Sequence, residues 1–422
     1  MKKALVIFFA LLILTAFCAC TEQINETSVK NLSEPESDKN ESSLESSGNG
    51  DPLANESSDY SDNESKSDPS FEASGETSDE ASNDINRDET SVPDDNGEDE
   101  ETSTPLGKDD NDGDEEEDEE EEIPNYTYGD AEFLESGYLL YNGSLYSRTY
   151  YLADISKRYA DVYAKYAELF PNTRISVINP PLSAINITNP LVRDMVNDQG
   201  AVLDMMESDI YGNVNFVNIK NTILAHRGEY LYFKSDWHWT QLGAYYAYTD
   251  FARSIGLTPT PLSEFRPEIV TNEFIGALAN VTEDERVYSF KDTVIAYLPR
   301  KAHTMTITNG DRSDTYDRCI HTYIENYSCF IVGDNALTTI NVPSNDQSKT
   351  VLVIKESSAN PFVPFLIEHY GNIIVIDPRH IDIDIRSMVS EKGIDDIIFF
   401  AMASTSNRST YCNYYERMIG IR

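Results

Sequence analysis

Asp236 and His238 stand two residues apart in Tyr230-Leu-Tyr-Phe-Lys-Ser-Asp-Trp-His-Trp-Thr240. In a non-helical turn, an acid and an imidazole at that spacing can point the same way. A carboxylate so placed fixes the tautomer of a neighbouring base and stabilises the imidazolium that forms. A base of that kind serves a nucleophile, and Lys355-Glu-Ser-Ser-Ala-Asn360 offers two hydroxyls, Ser357 and Ser358. A free serine hydroxyl is a poor nucleophile near neutral pH until a general base takes its proton. Either serine with His238 and Asp236 therefore spells nucleophilic catalysis through a covalent intermediate. Plainer readings stay open: Asp236 as an acid at a helix start, His238 as a packed ring, the serines as an ordinary strand-to-helix turn. Asp236 and His238 lack a third ligand, so neither a metal nor a cofactor is called for.

The elements that must position these groups can be read around them. Tyr230 to Phe233 alternates like a strand, and Thr240 caps a helix running through Tyr245, Tyr248 and Phe251 to Gly256. Thr350 to Ile354 is a continuous apolar run, the pattern of a strand buried on both faces. Asn360 and Pro361 then start a helix that Gly371 ends. A serine on the tight turn between such a strand and helix exposes its hydroxyl and has backbone amides beside it, a nucleophile and an oxyanion site together. Asn179, at the end of a strand from Arg174, and Asn360 are further oxyanion candidates, with Ser358 and Trp237 as possible substrate contacts. Lys355 and Arg379 either meet an anionic substrate or pair with Glu356 and Asp377, and His369 sits where its charge would suit a helix end.

After residue 350 the chain alternates strand, helix, strand, helix, strand, which implies right-handed crossovers and a parallel sheet. The expectation is a three-layer α/β/α domain over 124–422, with a β-rich insertion at about 257–345. Ligands in such sheets bind beyond the carboxyl ends of the strands, where Asp236, His238 and Ser357 would all sit. Earlier, Asn142-Gly143 predicts a tight turn, and apolar residues from Leu152 to Leu169 recur at helical spacing.

The formal net charge of −42 over 422 residues is unevenly spread. Residues 1–123 hold 38 acids against 7 bases, and residues 124–422 hold 36 against 25. Neither part has the basic footprint of a nucleic-acid binder. Residues 21–123, rich in Ser, Asn, Asp and Glu, cannot bury enough apolar surface to offset the entropy of ordering, so a disordered, extended linker is expected. Before it, Lys2 and Lys3 precede an apolar run ending Phe17-Cys18-Ala19-Cys20. Residues 1–20 resemble a bacterial lipoprotein signal, with Cys20 lipidated; an uncleaved anchor is the alternative. Either one puts the domain outside the cytoplasm, tethered to a membrane. Cys319 and Cys329 could bridge in that compartment or stand as structural thiols.

The two site blocks carry a more specific likeness. The stretch YLYFKSDWHWTQLGAYYAY resembles the DHHW family, which is similar to the alginate-type O-acetyltransferases of the SGNH hydrolase-like superfamily. LVIKESSANPFVPFLIEHYGNIIVIDPRH resembles the serine block of the same family, and the blocks come in the family's order. The resemblance implies an SGNH-like fold, with Ser357 as nucleophile, His238 as base and Asp236 as its orienter. It implies an O-acetyltransferase or acetylesterase acting on cell-surface polysaccharide, with a membrane O-acyltransferase as acetyl donor in the transfer case. A catalytically silent carbohydrate-binding or scaffold protein is the alternative. Trp237 stands where the family has its first His, Glu356 where it commonly has Asp, and Ser358 where it commonly has Tyr.

Overall fold

The structure, a computed structural model, describes residues 125–421. The signal-like run, Cys20 and the acidic stretch 21–123 lie outside the described residues. The chain first makes a small antiparallel sheet of β1 (Glu132–Phe133), β2 (Leu139–Tyr141) and β3 (Ser144–Tyr146). Asn142 and Gly143 turn β2 into β3 with φ of 48° and 67°, the left-handed pair that a two-residue hairpin needs. Helix α1 (Ala153–Leu169) and strand β4 (Arg174–Ile178) follow, then α2 (Pro190–Met195), α3 (Gln199–Asp209), β5 (Val214–Phe216), α4 (Lys220–Ala225) and α5 (Gln241–Ser254). Next come β6 (Arg266–Phe274), α6 (Ala277–Thr282), β7 (Asp292–Leu298), β8 (Thr304–Asn309), β9 (Arg312–Tyr316) and β10 (Leu337–Asn341). The chain closes with β11 (Thr350–Lys355), β12 (Asn372–Ile376), α7 (Arg386–Lys392), β13 (Asp396–Phe400) and α8 (Ser409–Met418).

Eight strands form the main sheet in the order β5-β4-β13-β11-β12-β10-β8-β9. The five from β5 to β12 are parallel to their neighbours, and β10, β8 and β9 extend the sheet antiparallel. Every residue of β11 is buried, which accounts for its unbroken apolar run. Side chains alternate between two cores. Val351, Val353, Ile398 and Phe400 face one, and Leu352, Ile354, Ile397 and Phe399 face the other. Tyr159, Tyr163 and Tyr166 of α1 and Tyr415 of α8 pack on the second core, while Ala244, Tyr248 and Phe251 of α5 pack on the first. The result is the three-layer α/β/α arrangement expected from the sequence. Burying one such aliphatic or aromatic side chain contributes about 1.5–3 kcal/mol, so the sheet's two apolar faces dominate the fold's stability.

The β-rich stretch 257–345 divides. β6 and β7 make a separate two-stranded sheet, and β8, β9 and β10 join the main one. Residues 361–371 form no α-helix. They make a short 3₁₀ stretch at Val363–Glu368, following the turn at Ser357–Ala359, because Pro361 and Pro364 both lack an amide hydrogen. His369 is not a helix-end cation. Burial, with Lys301 nearby, pushes it down to about 4, and its Nε2 lies 2.8 Å from the Tyr248 hydroxyl. Cys319, Cys329 and Cys412 are buried free thiols. Among the described residues, no helix is long and apolar enough to cross a membrane.

Candidate active site

Ser357 lies just beyond the carboxyl end of β11, at the first position of the 3₁₀ turn Ser357–Ala359. The turn is pinned by its predecessor. Glu356, itself buried, accepts from the Ser358 amide at 3.1 Å, from the Ser358 hydroxyl, and from the Met402 amide at 3.0 Å. The Glu356 amide donates to the Phe400 carbonyl at 3.1 Å, so β13 backs the turn directly.

Asp236 and His238 arrive differently from the sequence expectation. Tyr230 to Phe233 is not a sheet strand. Among the described residues, the only ladder contact of this run is an isolated bridge between Tyr232 and Trp239. The loop folds back on itself instead: Phe233 N donates to His238 O at 3.3 Å and Thr240 N to Leu231 O at 2.8 Å. Further on, its backbone is met from outside the loop, with Leu145 N of β3 donating to Lys234 O at 2.9 Å and Leu278 N to Ser235 O at 3.1 Å. Thr240 then caps α5, its hydroxyl accepting from the Gly243 amide at 3.4 Å. Asp292 holds the loop's near end by accepting from the Lys234 amide at 3.0 Å, the Ser235 amide at 3.2 Å and the Tyr230 hydroxyl at 2.5 Å.

Two ties bring this loop and the start of α5 to the serine turn, and Tyr327 holds that turn from outside the loop. Fully buried Trp239 donates from Nε1 to Ser358 O at 2.8 Å. Gln241 Nε2 reaches Pro361 O at 3.3 Å, and Tyr327 donates its hydroxyl to Ser357 O at 2.9 Å. Between them His238 Nε2 lies 2.8 Å from Ser357 Oγ, and His238 Nδ1 lies 2.5 Å from Asp236 Oδ1. Asp236 Oδ1 also accepts from the His238 amide at 2.9 Å, and its Oδ2 from the Ala277 amide at 2.9 Å. With the Nδ1 proton facing Asp236, Nε2 presents its lone pair to the serine. The one Ser357 proton has a second acceptor within reach, Glu356 Oε2 at 3.1 Å.

The electrostatics fit a base held ready. Burial works to lower His238, but the Asp236 carboxylate outweighs it, with Glu356 and Asp334 adding, and the imidazole ends above its usual value of 6.5. Burial likewise works to raise Asp236, and His238 and the amides of His238 and Ala277 outweigh it, so the acid ends below 3.8. Beneath the site, Lys355 is fully buried with Nζ 2.5 Å from Asp334 and 3.3 Å from Asp377. Arg379 pairs with the same two acids at 2.6 Å each. Both cations are thus spent on a buried cluster, and neither pairs with Glu356.

The remaining sequence candidates are engaged elsewhere. Ser358 gives its hydroxyl and amide to Glu356. Asn360 Nδ2 donates to Asp334 at 2.9 Å, and Asn179 Nδ2 donates to Ala401 O at 2.8 Å. The next two amides are also occupied, Ala359 N by Glu356 O and Asn360 N by Ser357 O. The Ser358, Ala359 and Asn360 amides and the two Asn side chains thus each already donate to a protein acceptor. Trp237 packs beside the β1–β3 sheet, its Nε1 donating to the Tyr138 hydroxyl at 3.1 Å. Sequence reasoning missed Tyr327, whose ring stacks on His238, and Asp334. Both lie in the turn-rich stretch before β11, where no spacing marks them. Two cavities of ≈ 470 and ≈ 660 Å³ lie away from these groups, one at the amino ends of the parallel strands and one against β8, β10 and β12. Among the described residues, no group of three or more His, Cys, Asp or Glu is placed to hold a metal ion.

The profile of the DHHW protein family matches residues 101–376. No curated protein matches the chain. Among solved structures it is similar to a DHHW family protein from Eubacterium siraeum DSM 15702, at 22% identity and a TM-score of 0.59, over 66% of this chain and 94% of that one. It is also similar to Bacillus cereus PatB1 with a sulfonyl adduct, at 14% identity and a TM-score of 0.56, over 69% of this chain and 99% of that one. These likenesses show the fold, an SGNH-like α/β domain.

Proposed function

Because the chain belongs to the DHHW family, we propose that it is an extracytoplasmic O-acetyltransferase or acetylesterase of cell-surface polysaccharide, working through Ser357, His238 and Asp236. The supporting observation is the continuous chain of contacts, Asp236 Oδ1 to His238 Nδ1 at 2.5 Å and His238 Nε2 to Ser357 Oγ at 2.8 Å. Ser357 Oγ attacks the carbonyl carbon of an acetyl ester while its proton passes to His238 Nε2. The tetrahedral intermediate expels the donor alkoxide, which takes that proton, and leaves an acetyl-serine. A sugar hydroxyl (transfer) or water (hydrolysis) then gives its proton to His238 and attacks the acetyl carbon, and Ser357 leaves reprotonated. Asp236 stays ionised and stabilises the imidazolium. The Bacillus cereus PatB1 structure carries a sulfonyl adduct, the kind of species an activated nucleophile forms with a sulfonyl electrophile.

In this reading residues 1–20 export the chain, a lipid on Cys20 anchors it, and residues 21–123 lift the domain 124–422 off the membrane. A membrane O-acyltransferase supplies acetyl groups outside the cytoplasm. The competing reading, glycan binding or scaffolding without turnover, draws on the engagement of the Ser358, Ala359 and Asn360 amides within their own turn. Acetyl-ester turnover and covalent labelling by an aryl sulfonyl fluoride, in the wild type and in Ser357→Ala, separate the two. Turnover and labelling lost in the variant support the serine assignment, and labelling that survives in the variant removes it. A wild type that neither turns over nor labels favours the scaffold.

A further inference from the structure

We propose that Tyr327 is the positioning residue that holds base and nucleophile in register, clamping the face of His238 and the backbone of Ser357 with one side chain. The inference rests on the triad reading above. Its phenol ring stacks on the imidazole with centroids 4.0 Å apart and planes 20° from parallel. Its hydroxyl donates to Ser357 O at 2.9 Å. One residue thus touches both reacting partners.

The need for such a clamp follows from the geometry. Asp236 grips His238 at a single edge of the ring, Nδ1. A single hydrogen bond constrains distance and one direction, and it leaves the ring free to swivel about the bond. Swivelling carries Nε2 off the line to Ser357 Oγ. A second aromatic plane against the face removes that rotation. The phenol is itself immobilised. Phe233 and Phe330 press on it edge-to-face at 6.2 Å and 5.7 Å, and the residue is 8% exposed. The short turn Tyr327–Cys329 that carries it is capped by Asn326, whose side chain accepts from the Ser328 amide at 2.8 Å. A backbone pairing of His321 N to Cys329 O and Ile331 N to Cys319 O, both 2.8 Å, closes the loop. Burial keeps the phenol well above its usual 10, so the donor to Ser357 stays protonated.

The alternative is that Tyr327 merely fills the core. Two variants of the full chain distinguish these roles. Tyr327→Phe keeps the stack and loses the donor, and Tyr327→Leu loses both. The readouts are the rate of Ser357 sulfonylation by phenylmethanesulfonyl fluoride, kcat and KM on an acetyl ester, thermal unfolding, and the His238 ring-proton resonances. Misplacing a reacting group by about 1 Å costs about 100-fold, so Tyr327→Leu is expected to slow sulfonylation and kcat by about that factor with KM unchanged. Tyr327→Phe should recover most of the rate, and the His238 ring protons should shift downfield only in the Leu variant, as the stacked ring current is lost. Sulfonylation within about 3-fold of wild type in a folded Tyr327→Leu protein overturns the proposal. So does an equal rate loss in the Phe and Leu variants, since the stack then contributes nothing. Ser357→Ala runs alongside. Labelling that persists there defeats the triad reading itself, whereas labelling lost there but unchanged in Tyr327→Leu defeats only the clamp.

Discussion

A Cβ added to Gly276 would lie 2.4 Å from the Cβ of Asp236 and 2.6 Å from its Oδ2. The backbone of Gly276 is ordinary, with φ −78° and ψ 172°, so the glycine is required by proximity and not by conformation. Its absent side chain lets the next amide, Ala277 N, reach Asp236 Oδ2 at 2.9 Å. Gly276→Ala must push the acid off His238. Activity on an acetyl ester should fall by about 100-fold, and a crystal structure of the variant should show Asp236 displaced. Wild-type kcat/KM in that variant would remove Asp236 from the mechanism.

The pH profile follows from the signs of the two shifts. Under the proposed function the base works as neutral imidazole, and the Asp236 carboxylate favours imidazolium, so His238 must lose its proton above the usual 6.5. kcat/KM for an acetyl ester is expected to climb with pH through a limb above that value. In Asp236→Asn burial is opposed only by the weaker pull of Glu356 and Asp334, and the limb should move to lower pH while the plateau drops about 10⁴-fold. A limb unmoved by Asp236→Asn would contradict the pairing.

Lys355→Met tests the buried ion cluster. It removes the cation between Asp334 and Asp377, and Arg379 alone is left to face both acids. Breaking a buried pair by deleting one partner costs about 3–5 kcal/mol. Urea unfolding near neutral pH should show a loss of that order. The loss should shrink in acid, because Asp334, which Lys355 and Arg379 hold far below the usual carboxylate range against the effect of burial, can take a proton in the variant. A midpoint identical to wild type would mean the cluster contributes nothing net.

Trp239→Phe leaves Ser358 O without its buried donor. An unsatisfied buried acceptor costs about 1–3 kcal/mol, and the serine turn should loosen against the His238 loop. Thermal unfolding and sulfonylation rate, measured together, should both decline. A variant that loses stability but labels at the wild-type rate would show the turn held by its other ties.

Much of this was legible where one local rule dominates. The apolar run of β11, the Thr240 cap, the turn at Asn142-Gly143 and the helix over α1 each follow from a single strong signal, and the structure has them all. Tyr230 to Phe233 misled because alternating aromatics are buried here by a folded-back loop as well as by a strand. The 3₁₀ stretch after Ser357 is hard to see in the sequence because Pro361 suits a helix start, while Pro364 three residues on lacks the amide such a helix would use next. Asp236, His238 and Ser357 stand out by type and local context, and the structure brings their side chains together. Tyr327 and Asp334 do not stand out, since their roles come from tertiary packing across the sheet end, and packing leaves no periodic trace in the chain.

Glu356 leans on Phe400 and Met402, so the turn bearing Ser357 is finished by a strand that follows it in the chain. Synthesis is vectorial. A chain that has emerged only through β12 would carry the serine, the histidine and the aspartate without the strand that seats them. Under the proposed function, catalytic competence is therefore expected only once β13 has docked.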